Sequence, residues 1–127
     1  RCSPMINGAG PIPTPIAAAT SVGLEIAAGD SDRRARLLSN TRLLRGGLAA
    51  AGLTVDIESP VPFLGLTIGD AATMKRMQRE LRRRGIMIAY IPRYTGVSAQ
   101  GVLRIAVFAD HTSAQIEHLL EEIVSLI

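Results

Sequence analysis

Tryptophan is absent from the 127-residue chain, and its only aromatic side chains are two Phe and two Tyr. A core without large rings has to be aliphatic, built from Leu, Ile, Val, Ala and Met. Cysteine is almost as scarce: Cys2 stands alone. No internal disulfide can form, and a zinc site built on cysteines is excluded. A reducing, cytoplasmic location fits that usage. Histidine occurs twice, at His111 and His118, and lysine once, at Lys75. No Walker loop, dinucleotide fingerprint, metal-ligand cluster or Ser/His/Asp spacing appears. The short NGAG run at 7–10 has no strand before it, so it is a weak phosphate signal. The longest uncharged stretch, 2–24, is interrupted by Pro4, Pro11, Pro13 and Pro15 with Gly8 and Gly10. Its first half cannot be helical, which excludes a membrane span there. A charged leader followed by a continuous apolar segment is also missing, which excludes a signal peptide.

Residues of the AVILMFWYC set make up 47% and charged residues 20%. That balance excludes intrinsic disorder, and the length suits one domain of ordinary size. The net charge of +3 is unevenly spread. Between 75 and 84 stand Lys75, Arg76, Arg79, Arg82, Arg83 and Arg84 against Glu80 alone, whereas 105–127 carries four acids and no Lys or Arg. A basic helix suggests nucleic acid or an anionic ligand. No aromatic side chain is interleaved for base stacking, so a solvated helix face is the preferred reading and no nucleic-acid partner is expected. Both histidines read as structural: His111 beside Asp110 at a helix start, and His118 on a helix surface.

The first fourteen residues read as a Pro/Gly-rich loop. Thr14 and Pro15 then predict an N-cap and first helical residue, with the helix ending at Gly29. A second helix starts from Asp30 or Ser31 and stops at Gly52. Its apolar stripe is Leu37, Thr41, Leu44 and Leu48, supported by Leu38, and Gly46-Gly47 weakens its last turns. Thr54 to Glu58 alternates as a half-buried strand, with Val55 and Ile57 inward. After Pro60 and Pro62, residues 63–68 form a second strand. Asp70 caps a third helix with Met74, Met77 and Leu81 as its stripe and Gly85 as its stop. Strands follow at 86–91 and 102–108, separated by a loop. Thr112 and Gln115 have capping-box spacing, and Ile116, Leu119, Leu120 and Ile123 share one face of the last helix. The predicted order is α-α-β-β-α-β-β-α. This is an α+β, two-layer domain, with helices over one face of a small, mostly antiparallel four-stranded sheet.

Arg104 is the informative residue. Side chains alternate along VLRIAVF, so Leu103, Ile105 and Val107 share the core face. Val102, Arg104, Ala106 and Phe108 share the other. A mid-strand guanidinium is costly unless paired or solvated, and it is well shaped to bind a carboxylate bidentately. An open sheet face, or pairing with Asp56 or Glu58, would account for it equally. The apolar residues around it predict a surface that meets a partner or another domain, and self-association of the isolated chain. Together with a first residue that is not Met, this leads us to expect a piece of a longer protein.

Five motifs now stand in order: GPIPTPIAAA, NTRLLRGGLAAAGL, PFLGLTIGD, ELRRRGIMIAYIP and GVLRIAVFADHT. Together they resemble the C-terminal part of the α-oxoamine synthases. These are fold-type I, pyridoxal-phosphate-dependent acyltransferases of the class I/II aminotransferase superfamily. The resemblance implies a division into a loop at 1–14, a helical segment at 15–52 joining the large and small domains, and a small domain at 53–127. It implies that Arg104 binds the carboxylate of an amino-acid substrate. It places Ala9 or Gly10 where the family carries a Ser or Thr that reaches the cofactor phosphate of the other subunit in a homodimer. The family's cofactor lysine and the residues that hold the pyridine ring match nothing here. The resemblance therefore implies no catalytic residue in this chain, no cofactor bound by it alone, and no activity alone. The longer protein would bind pyridoxal phosphate (PLP) through its large domain. It would condense an amino acid with an acyl-CoA and lose CO2. Two other readings stay open: the C-terminal domain of another fold-type I aminotransferase, and a non-enzymatic basic binding module.

Overall fold

The computed structural model describes residues 12–93, 96 and 98–127. The expected loop over residues 1–11, with Ala9 and Gly10, lies outside the described residues. The elements are α1 (Thr14–Gly29), α2 (Ser31–Ala50), β1 (Phe63–Leu66), α3 (Ala71–Arg83), β2 (Ala89–Ile91), β3 (Val102–Ala106) and α4 (Ser113–Val124). The chain divides into two compact units, Arg1–Ser31 and Asp32–Ile127. No helix among the described residues is long and apolar enough to cross a membrane.

Within the first unit, α1 starts one residue before the predicted position. Pro13, rather than Thr14, caps it without a side-chain bond. The extended Pro13 backbone directs its carbonyl to the N–H groups of Ile16 and Ala17, at 2.9 and 3.0 Å, which opens the helical ladder. None of its residues is buried.

The second unit is the α+β, two-layer arrangement predicted. The sheet has three strands in the order β1-β3-β2, both pairs antiparallel. Leu64, Leu66, Leu103, Ile105 and Val107 project from one face. They meet Leu44 and Leu48 of α2, Met74, Met77 and Leu81 of α3, and Ile116, Leu119 and Ile123 of α4 in one aliphatic core. Sequence chemistry sets the helix ends. Asp70 accepts from the Thr73 N–H at 2.8 Å. Thr112 and Gln115 complete both halves of their capping box. At Gly85 (φ +81°), the Gly85 N–H reaches the Arg82 carbonyl and the Ile86 N–H reaches the Leu81 carbonyl, a Schellman end. Gly52 (φ +82°) ends α2 in the same way, through Leu48 and Ala49. Gly47 has a different purpose: a Cβ there would collide with Leu120 of α4, so its absence allows the two helices to approach.

The sheet departs from prediction in one strand. Thr54–Glu58 is not a strand, and Ile57, expected inward, is 51% exposed. Two polar interactions consume that segment's pairing capacity. The Asp56 carbonyl accepts from Arg45 Nη1 at 2.7 Å, and the Asp56 carboxylate accepts from the Glu58 N–H at 3.2 Å, which turns the chain. Likewise 86–88 does not extend β2. The Ile86 N–H is committed to the α3 terminus, and the Ile88 carbonyl accepts from Gln78 Nε2 at 3.1 Å.

Candidate functional site

Helices α2, α3 and α4 cover one face of the sheet, and Arg104 stands exposed on the other. Its strand is the central one, so Arg104 has a cross-strand neighbour on each side. These are Gly65 of β1 and Ala89 of β2. Ala106 follows it on the same face. With no bulky side chain directly opposite, the guanidinium has open space to meet a ligand. The Phe63 ring, diagonal to it on β1, lies 5.2 Å from the guanidinium carbon. That spacing is a cation–π contact, which leaves the N–H groups free to donate. Among the described residues no carboxylate forms an ion pair with Arg104, so the pairing with Asp56 or Glu58 is not made. Val102, expected on the exposed face, is buried to 9% exposure. It fills the space left by Gly65, where a Cβ would stand 2.7 Å from Val102 Cγ2.

A cleft of about 350 Å³ opens beside Arg104, with Phe63, Phe108, Leu37 and Pro62 among its walls. Two buried side chains hold those walls, and sequence reasoning had marked neither. Arg45, 5% exposed, spreads its fork over the carbonyls of Asp56, Val61 and Phe63, at 2.7, 2.9 and 3.0 Å. Asn40 donates to the carbonyls of Phe108 and His111, at 3.0 and 2.8 Å. The signal for Arg45 was present in the sequence: it lies four residues after Thr41 and three before Leu48, on the buried stripe of α2. His111 fits its structural reading. Its Nδ1 accepts from the Phe108 N–H at 3.2 Å, and its ring meets Phe108 edge-on at 5.5 Å. His118 lies on α4, with Nδ1 4.0 Å from Glu122.

The basic run is partly committed to internal partners. Arg83 pairs with Glu80 at 2.7 Å, Arg84 with Glu122, and the Lys75 ammonium lies 5.5 Å over the Tyr90 ring. Lys75 is exposed on α3, a helix packed on the core face, whereas Arg104 occupies the opposite face. Among the described residues no group of three or more His, Cys, Asp or Glu could hold a metal ion.

The two-layer unit, with helices over one face of a small antiparallel sheet, is a fold shared with known proteins. The chain belongs to the aminotransferase class I and II family, whose model matches residues 3–123. Within that family its likeness is to the C-terminal part of the α-oxoamine synthases, as the five motifs implied. It is 32% identical over 115 residues to 8-amino-7-oxononanoate synthase of Nitrosococcus oceani, covering 91% of this chain and 30% of that protein. The corresponding synthase of Stutzerimonas stutzeri is 36% identical over 109 residues, covering 86% of this chain and 28% of that protein. The crystal structure of 8-amino-7-oxononanoate synthase from Francisella tularensis shares the fold. Its TM-score is 0.76 at 24% identity, over 91% of this chain and 33% of that one. A serine palmitoyltransferase from S. paucimobilis, solved with a bound PLP–myriocin aldimine, aligns with a TM-score of 0.67 at 27% identity. That match covers 75% of this chain and 24% of that one. The chain thus spans about a third or less of the length of these relatives.

Proposed function

We propose that this chain is the carboxylate-binding small domain of a PLP-dependent acyltransferase that joins an amino acid to an acyl-CoA with loss of CO2. The observation that carries the reading is Arg104: exposed, unpaired among the described residues, and flanked by Gly65 and Ala89. Two parallel N–H···O bonds from its fork fix a carboxylate in position and orientation. The Phe63 ring holds the fork from one side. Residues upstream of this segment supply the large domain and the cofactor, which provides the electron sink for the chemistry. Ala9 or Gly10 stands where the family's Ser or Thr meets the cofactor phosphate of the partner subunit, in a cytoplasmic homodimer. The only lysine, Lys75, is on the helical side of the unit, so this chain alone is inactive.

The test is the kinetics of the longer protein carrying Arg104→Gln. The charged hydrogen bonds lost are worth about 1.5–3 kcal/mol. The expected result is a rise of roughly ten- to a hundredfold in KM for the amino acid, with KM for the acyl-CoA unchanged. An unchanged amino-acid KM would overturn the assignment. The name of the matching family favours one further reading, a transaminase. Transfer of the amino group to a 2-oxo acid, with no reaction on adding acyl-CoA, would establish it in place of the acyltransferase.

A further inference from the structure

Strand β3 lacks part of one neighbour. Its pairing with β2 begins only at Ala89, opposite Arg104, because 86–88 is held elsewhere. The Ile86 N–H is bound to the Leu81 carbonyl, and the Ile88 carbonyl accepts from Gln78. On its other side β3 stays paired with β1 as far as Ala106, and the Val107 N–H reaches the Pro62 carbonyl at 2.9 Å. In an antiparallel sheet, successive residues of a central strand direct their backbone groups to alternate neighbours. Val107 serves the β1 side, so the N–H and C=O of exposed Ala106 are directed to the side that 86–88 has left. No described residue bonds to either group, nor to the backbone groups of Met87, which a continued register would place opposite.

A second cleft, of about 450 Å³, opens at this break. Ala106 and Met87 both line it, and Arg104 does not. Ile86, Ile88 and Leu119 give it apolar lining, and His111 and Gln115 polar lining. The acceptors of both polar side chains are already used. His111 Nδ1 accepts from the Phe108 N–H, and Gln115 Oε1 accepts from the Thr112 N–H. What remains are donors: the amide NH2 of Gln115 and, in the neutral ring, the Nε2–H of His111. The cleft thus combines an unfilled rung of sheet, further N–H donors and aliphatic surface. Its volume is within the range of small-molecule sites.

We propose that this cleft binds a short extended peptide with an aliphatic side chain, which adds to β3 at Ala106. One peptide residue carries the complement of the rung. Its carbonyl accepts from the Ala106 N–H, and its own N–H donates to the Ala106 carbonyl. The further carbonyls of the peptide answer the surplus of donors from His111 and Gln115. The aliphatic side chain answers the Ile86, Ile88 and Leu119 lining. A simple acid or amine matches only part of this set. The inference is independent of the role of Arg104.

The experiment titrates the full 127-residue chain with N-acetyl-valyl-leucine methylamide. Binding is read from the NMR signals of the Ala106 and Met87 amides and the Gln115 side chain. The Ala106 N–H is expected to shift downfield and to exchange with solvent more slowly when the probe is bound. The same probe N-methylated at both residues keeps its carbonyls and loses the donors. It is expected to bind about tenfold more weakly, the effect of one lost hydrogen bond. N-acetyl-aspartyl-serine methylamide, which lacks the aliphatic side chains, should also bind more weakly, by at least about tenfold. Met87→Trp and His118→Trp place bulk at two exposed lining positions, and each should weaken binding of the first probe. Using both guards against a folding defect in either. Equal affinity for the parent and N-methylated probes would overturn the proposal, as would binding that both tryptophan variants leave unchanged. An Ala106 signal that no probe moves would do the same. Shifts confined to Gly65 would place the peptide on the outer edge of β1 instead. Concentration-dependent shifts of Ala106 without a probe, unaffected by adding one, would assign the rung to a second copy of the chain.

Discussion

The buried guanidinium of Arg45 donates to the carbonyl of Phe63 at 3.0 Å, and the ring of that same Phe63 backs the exposed guanidinium of Arg104. One arginine is thus part of the scaffold and the other faces solvent, with a single residue between them. Arg45 makes its three hydrogen bonds to carbonyls and none to a carboxylate, and its Nε is buried without a partner. Such a group stabilises by satisfying backbone acceptors, and its removal leaves them dry.

Arg45→Met should therefore destabilise the chain by about 2–4 kcal/mol, from three lost bonds to a charged donor. Arg45→Lys should recover little, because a single ammonium cannot span three carbonyls as a planar fork does. Urea unfolding checks this. A lysine variant with the parent midpoint would show that charge alone, without the fork, is sufficient.

Two glycines with nearly the same backbone should respond differently to alanine. Gly85 and Gly101 have φ of +81° and +80°. A Cβ on Gly85 would meet nothing within 4 Å, whereas one on Gly101 would stand 2.6 Å from the Ile91 carbonyl oxygen. Gly85→Ala should cost only the left-handed penalty, about 1–2 kcal/mol. Gly101→Ala should cost distinctly more, because β2 must also move. Equal losses in thermal unfolding would contradict the steric argument at Gly101.

The helix cap at Asp70 gives a pH dependence. The Thr73 backbone N–H, with further help from the Thr73 side chain, holds the Asp70 carboxyl below its ordinary value of 3.8. A carboxyl depressed on folding binds its proton more weakly in the folded chain than in the unfolded one. Its stabilisation is therefore present above pH 3.8 and is lost as the pH falls through the lower folded value. The melting temperatures of the parent and Asp70→Ala should differ above pH 4 and converge below it. A constant gap down to strongly acidic pH would exclude the carboxylate as its source.

Local signals in the sequence were read well where the chemistry is local. The capping box at Thr112 and Gln115, the Asp70 cap, the glycine stops at Gly52 and Gly85, and the alternation of Leu103, Ile105 and Val107 all depend on residues a few positions apart. Arg104 was legible for the same reason, since alternation alone placed it on the bare face. Thr54–Glu58 misled because its alternation is real, whereas the group that captures the Asp56 carbonyl comes from Arg45, eleven residues earlier in the chain. Phe63 could not be placed beside Arg104 without the β1–β3 register, which no local pattern encodes. Val102 escaped for a related reason, because its burial depends on Gly65 being opposite the space it fills.

The alternation along β3 has a consequence for how such a protein can change. Leu103, Ile105 and Val107 are held by the core, while Arg104 and Ala106 face away from it, Arg104 against the Phe63 ring. Substitutions at the second set can alter ligand preference at almost no cost to folding, because neighbouring positions on one strand answer to different demands. The strand works as a partition between scaffold and specificity. An engineer seeking new acids for this surface would vary positions 63, 106 and 108 and leave Leu103, Ile105 and Val107 untouched.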